Sequence, residues 1–218
     1  MIDFGEFTEL IKTRRSIRSF QDKPVPEDLL VKAIELGTWA PNGGNFQPWK
    51  FLIITNKDLI HKIADAVKAK TELMASWPES AVCGDSLERW KKVSDFFRGA
   101  PACIATLMGR YVSIADQALR ARGENDPTAR EIRSYRQLAN SSLQSVAAAI
   151  TYILLILHHF GLGATWMAGP VQAKKEIEKL LGVTPDWDFV NLIPVGYPAE
   201  TPRSLGRKPV NEVIEFLR

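Results

Sequence analysis

An α+β fold is predicted, and three features predict it. Apolar residues recur at helical spacing near the N-terminus and again in the middle of the chain. Only about four short runs have the continuous apolar, β-branched character of strands. Helical and strand-like segments do not alternate strictly, which argues against a doubly wound parallel sheet. A length of 218 residues suits one domain with a substantial core.

Phe4, Phe7, Leu10 and Ile11 mark an amphipathic first helix. The polar link TRRSIRSFQDKPVP follows. Pro26 opens a second helix, with Glu27 and Asp28 in its first turn and Leu29, Leu30, Ala33, Ile34 and Ala40 along one face. The loop APNGGNFQPW, residues 40–49, leads into a strand over 50–55. Asn56 is placed to cap a helix running to about Lys70. Residues 71–85, with Trp77, Pro78 and Gly84, are expected to be irregular, and 86–98 to form a charged helix. Ala102 to Met108 reads as a strand. Residues 111–140 are polar and helix-prone, broken by GENDP at 123–127. VAAAITYILLIL, residues 146–157, is the longest apolar run. A helix of that length spans about 18 Å, short of a bilayer core of about 30 Å, so it is read as a helix buried on all sides. GLGATWMAGP then turns the chain through a short strand, with Gly161 closing the long helix. Residues 171–181 form a helix ended by Gly182, and Phe189 to Val195 a last strand. The tail carries Val210, Val213, Ile214, Phe216 and Leu217, which need an apolar partner surface.

A net charge of +3 is too weak to argue for nucleic acid and suits anionic small ligands equally well. Cys83 and Cys103 form no CxxC or Cys/His spacing and read as thiols of a reducing compartment. MIDFGEFTEL lacks a basic segment before an apolar one, so no signal peptide is expected and the location is read as cytoplasmic. No triad or metal cluster stands out; His158 and His159 are adjacent and cannot both face one ligand from a helix.

Three segments carry candidate chemistry. Arg14, Arg15 and Arg18 surround Ser16, and guanidinium forks with a hydroxyl match the acceptor oxygens of a phosphate monoester. The same arginines, at the end of a helix, would also complement its dipole for about 0.3–1 kcal/mol each. Arg207 and Lys208 form a second basic group after the last strand; it reads equally as a solvated pair or as the other half of one phosphate site. In GLGATWMAGP the third glycine stands six residues after the second, so the dinucleotide fingerprint fails. Small Ala168 and Gly169 would let a flat ligand approach the backbone, or simply form a strand-to-helix turn.

Taken in order, RRSIRSF, APNGGNFQPW, GLGATWMAGP, GYP and RKP resemble the FMN-dependent nitroreductase family across nearly the whole chain. The resemblance implies a single domain over 1–218 with a central, mostly antiparallel sheet flanked by helices. It also implies a homodimer whose C-terminal tail is exchanged onto the partner, and covering excursions around 71–97 and 111–136. Arg14 matches the residue that grips the FMN phosphate, joined by Arg207 and helped by Lys208. Ser16 lies near the ribityl chain, and Arg15 contributes through its backbone. Arg18 matches a cation beside the N1–C2 edge of the flavin. Met167, Ala168 and Gly169 match the backbone segment facing N5. Pro41, Asn42, Gly43 and Asn45 match a loop that reaches the flavin of the other subunit, while Gln47 ties that loop to itself. The implied activity is hydride transfer from NAD(P)H to FMN, then electron delivery to a nitroaromatic, quinone or similar conjugated acceptor. Trp77, Trp90, Phe96, Tyr111 and Tyr135 are candidates to cover the flavin or to pack the excursions. Departures from the family pattern are Leu205 and Ala168, and Ser145, Thr151 and Tyr152 on the core helix. Leu205 and Ala168 leave room for a flavin-storage protein, the core-helix departures bar carrying over substrate and reductant preference, and dehydrogenation, dehalogenation or flavin fragmentation are rival reactions within the family.

Overall fold

In the computed structural model, which describes residues 3–123 and 125–218, four strands form one antiparallel sheet. They are β1 (Trp49–Ile54), β2 (Ala102–Gly109), β3 (Gly163–Ala164) and β4 (Trp187–Gly196), in the order β1-β2-β4-β3. Period-two alternation sorts β2 between two cores. Ala102 and Ile104 join a cluster with α2 (Glu27–Gly37) and α7 (Ser141–His159). Cys103, Ala105 and Leu107 join another with α3 (Lys57–Ala75) and α8 (Lys174–Leu181). Burial pushes the Cys103 thiol pKa well up, which makes it an inert core residue. The sequence reading of an α+β fold with a mostly antiparallel sheet therefore holds.

Caps follow the local sequence. Asn56 accepts from the Leu59 N–H at 3.0 Å and starts α3. This helix continues to Ala75, past the expected end. Thr71 is buried, donates to the Val67 carbonyl and accepts from Gln172 at 2.6 Å, so a tertiary contact extends the helix. The charged helix is α4 (Asp85–Val93), shorter than the expected 86–98. Phe96 and Phe97 then turn inward, with Phe97 fully buried and their rings 6.4 Å apart, so Phe96 belongs to the core rather than to a cover. In the 111–140 segment, Ser113 and Asp116 form a capping box for α5 (Ile114–Arg122). Asp126 caps α6 (Pro127–Ala139); of the expected break at 123–127, Glu124 lies outside the described residues. Asn140, left-handed at φ 37°, separates α6 from α7.

The long apolar helix differs from its expectation on one side. Val146, Ala149, Ile150, Ile153 and Leu157 are fully buried, but Leu143 and Tyr152 are exposed. Among the described residues nothing buries that side. There α7, α2 and α1 (Phe4–Thr13) enclose an apolar groove of about 620 Å³ lined by Phe7, Leu10, Leu36, Tyr152, Ile156 and Phe160. No residue of α1 is buried, and the tail's Val210, Val213, Ile214, Phe216 and Leu217 are exposed as well.

The link after α1 is tied to the sheet edge. Ser16 bridges Ala164 in parallel, the Ile17 N–H donates to the Ala164 carbonyl at 3.2 Å, and Thr165 Oγ1 donates to the Ile17 carbonyl at 2.6 Å. Gly163 makes this approach possible: a Cβ there would stand 2.6 Å from the Ile17 side chain. Gly163→Ala is expected to lower stability by about 1–3 kcal/mol, the usual cost of overpacking a closed contact, read as a lower urea midpoint at unchanged slope.

Candidate flavin site

Three of the sequence-predicted segments meet along this edge. The link carries Arg14 and Arg15 at the end of α1, with Arg18 beyond it. Ser19 and Gln21 pair with the chain leaving β4: the Gln21 N–H donates to the Tyr197 carbonyl at 2.9 Å and the Ala199 N–H to the Ser19 carbonyl at 3.0 Å. Glu200 accepts from the backbone N–H groups of Arg18 and Ser19. That clamp fixes the direction of the Arg18 backbone, while the Arg18 side chain is exposed and engages no acceptor among the described residues. Met167 joins the other flank, exchanging two 3.0 Å hydrogen bonds with Leu192.

Arg14 is the most unusual charge. It is half-buried, and burial, then Arg15, then Arg207 hold its pKa below the ordinary arginine value. Arg207 comes from the opposite end of the chain, so the two basic segments do converge. Among the described residues no carboxylate pairs with Arg14, whereas Arg98 and Arg136 each have one at 2.7 Å. Lys208 is exposed beside Arg207, and Ser16 stands half-buried between Arg15 and Ile17. Ala168 and Gly169 are exposed, and neither N–H has a hydrogen-bond acceptor among the described residues. A Cβ at Gly169 would meet nothing within 4 Å, so open space lies over this backbone.

The loop 41–47 lies elsewhere, over the N-terminal half of α7. Gly44, Asn45 and Gln47 all have left-handed φ, at 59°, 53° and 55°. Side chains hold that shape: Asn42 Oδ1 accepts from the Gln47 N–H at 2.9 Å, and Ser145 Oγ accepts from the Gly43 N–H at 3.3 Å. Gln47 Nε2 reaches Asn45 Oδ1 at 3.4 Å. The Tyr111 ring packs on Gly43, Gly44 and Phe46, and its backbone N–H donates to Ser142 Oγ at 3.0 Å. Pro41 is exposed, and Asn42 spends its side chain largely inside the loop. Within one chain the structure thus brings Arg14, Arg15 and Arg207 together but leaves Pro41, Asn42, Gly43 and Asn45 apart from them.

The model of the nitroreductase family matches residues 11–197. This chain belongs to the nitroreductase family. Among solved structures, a BluB-like flavoprotein from Clostridium difficile 630 superposes with a TM-score of 0.84 at 25% identity, covering 97% of this chain and 99% of that one. Oxidised iodotyrosine deiodinase bound to FMN and 3-iodo-L-tyrosine shares the fold at a TM-score of 0.69 and 23% identity, with 97% of each chain covered. The iodotyrosine deiodinase of Hydra vulgaris is 25% identical over 214 residues, 96% of this chain and 72% of its own length.

This chain also has contacts at the arginine pole that carry no signal in the sequence. Thr13 Oγ1 donates to the Glu9 carbonyl at 2.6 Å and lies 3.0 Å from His158 Nε2. A hydroxyl has one hydrogen, and the carbonyl can only accept it. His158 Nε2 therefore carries the hydrogen of the second bond. Burial first, then Arg14, Arg15 and His159, hold the His158 pKa below the ordinary 6.5. The unfolded chain takes up this proton first, so the contribution to stability is complete above 6.5 and is lost as the pH falls below it. An NMR titration of His158 is expected to show a midpoint below 6.5 that moves upward in Arg14→Ala.

Proposed function

We propose that this chain works as a homodimeric FMN-dependent oxidoreductase. In this reading it takes hydride from NAD(P)H and passes electrons to a nitroaromatic, quinone or similar conjugated acceptor. The carrying observation is Arg14, a half-buried guanidinium near Arg15 and Arg207 and, among the described residues, paired with no carboxylate. Such an array calls for an anion, and a phosphate monoester offers nearly two charges and three acceptor oxygens. The other residues fit the rest of the cofactor. Ser16 offers a hydroxyl beside the pole, Lys208 a second cation beside Arg207, and Arg15 its backbone. The N–H groups of Ala168 and Gly169, next to Met167, have no acceptor among the described residues, and a Cβ at Gly169 would meet open space.

When bound, FMN supplies hydride acceptance and electron delivery. The protein's share is binding, orientation and electrostatics. Arg14 and Arg207 hold the phosphate, and Arg18 sets a fixed positive charge at the ring edge. The Ala168 and Gly169 N–H groups donate toward the reactive side. The single domain spans 1–218, with the segments around 71–97 and 111–136 as covers. Free Cys83 and Cys103 suit a reducing compartment, so we place the activity in the cytoplasm.

Helix α7 supports a site shared between subunits. Ser145 holds Gly43 near one end and His158 stands beside Thr13 and Arg14 near the other. Those positions are about 20 Å apart along the axis at 1.5 Å per residue. The loop residues Pro41, Asn42, Gly43 and Asn45 are therefore assigned to the second subunit's flavin. The uncovered groove of α1, α2 and α7, with the exposed apolar tail, supports an exchanged tail and an interface of roughly 2,000 Å² or more. A second reading, reductive dehalogenation, is favoured by the deiodinase relative that aligns with 96% of this chain.

Purified protein is expected to be yellow, to bleach anaerobically with NADH or NADPH, and to regain colour with a nitroaromatic or quinone. Colourless protein that ignores added FMN would sink the reading. Iodide release from 3-iodo-L-tyrosine selects the second reading. Arg14→Ala removes a charge-assisted contact and should weaken FMN binding roughly 10- to 100-fold in a fluorescence titration. Phe216→Asp combined with Leu217→Asp is expected to shift a dimer toward monomer in sedimentation analysis.

A further inference from the structure

A second cavity, of about 490 Å³, opens between α5, α6 and the start of α7. Among the described residues its wall carries Arg120, Arg133 and Arg136 and one carboxylate, Asp116. That carboxylate is fully spent. It accepts from Arg136 Nε at 2.7 Å and Nη2 at 3.1 Å, and from the Ser113 N–H and hydroxyl at 2.8 Å each. The Arg136 contact, then the Ser113 contacts, hold Asp116 far below the usual carboxylate range, so it stays ionised and committed.

The same bonds lock the Arg136 fork with Nε and Nη2 engaged and leave Nη1 without an acceptor among the described residues. Arg133 Nη2 donates to the Leu119 carbonyl at 2.9 Å and pins α6 to the end of α5. Arg120 is exposed and has no ion pair among the described residues. The cavity thus presents one rigid donor, on Arg136, and one mobile cation, Arg120. Tyr111 forms part of its wall and packs on Gly43 and Gly44, so it borders the loop assigned above to the flavin. Its volume falls within the range of about 300–1,000 Å³ typical of small-molecule sites.

We propose that this cavity receives the carboxylate of an anionic aromatic electron acceptor, with Arg136 Nη1 as the fixed donor and Arg120 as the mobile one. The proposal rests on the oxidoreductase reading above. The same cationic chemistry would suit the 2′-phosphate of NADPH, and the test separates the two sources. Calorimetric titration of the FMN-loaded protein with 4-nitrobenzoate and with uncharged 4-nitrobenzamide gives a ratio of dissociation constants. A charge-assisted contact should favour the acid roughly tenfold. Arg120→Gln and Arg136→Gln should each bring the ratio toward unity. Arg136 also braces α5 against α6, so Arg120→Gln, at an exposed and unpaired position, is the decisive variant. Equal affinities in the wild type, or a preference that survives both substitutions, overturn the proposal. A preference for NADPH over NADH that Arg120→Gln abolishes, without any acid preference, assigns the cavity to the reductant and also overturns it. Titrating the flavin-free protein in parallel separates failure of the cavity from failure of the cofactor reading.

Discussion

The backbone of residues 16–21 is held from both sides. On one side Ser16 and Ile17 pair with β3; on the other Ser19 and Gln21 pair with the chain leaving β4. Glu200 closes the second side by accepting from two successive N–H groups. This strip fixes where α1 ends, and therefore where Arg14 and Arg15 stand. It also fixes the course of the tail as far as Glu200, from which Arg207 returns toward Arg14. Gly163 is the enabling residue, because only a residue without a Cβ leaves room for Ile17. The cationic pole is in this sense a consequence of backbone pairing rather than of side-chain attraction, which would drive the three guanidinium groups apart.

Two contributions limit that repulsion. Arg15 donates to the carbonyls of Lys12 and Arg14 at 2.6 and 2.7 Å, so part of its charge is taken up by the end of α1. The C-terminal end of α7 arrives at the same place with His158 neutral at pH 7. A dipole role and an anion role for these arginines, which read as alternatives in the sequence, are therefore compatible: the helix ends lower the cost of assembling the charge that a ligand would then use.

Much of the fold was legible because it is local. Helical spacing, Asn56, Pro26 and the left-handed Gly182 mark element ends within a few residues. What escaped depends on contacts between distant positions. The extra turns of α3 rest on Gln172, a partner 101 residues away. Strand β3 is two residues long and has no periodicity to read. The exposed side of α7 could not be told from the buried one, because leucine and isoleucine occupy both. At the site, the basic and glycine segments were visible as clusters. Glu200, Ser142 and the Thr13–His158 contact were not, since an isolated carboxylate, serine or histidine carries no signal until the fold supplies its partner.

Helix α7 links these observations. Its inner face supplies the largest part of one core, so its length and axis are set by packing that has nothing to do with a ligand. Its two ends then position two unrelated features: Ser145 holds the strained 41–47 loop, and His158 touches the end of α1. The loop's left-handed residues carry a conformational cost that its own bonds only partly offset. A loop kept in that shape, on a helix face left half uncovered by the described residues, suits the proposed site shared with a second copy. The arginine pole likewise carries excess charge within one chain. A second copy that brings one chain's loop to the other's pole would resolve both at once, and the rigidity of α7 makes that spacing the same in every subunit.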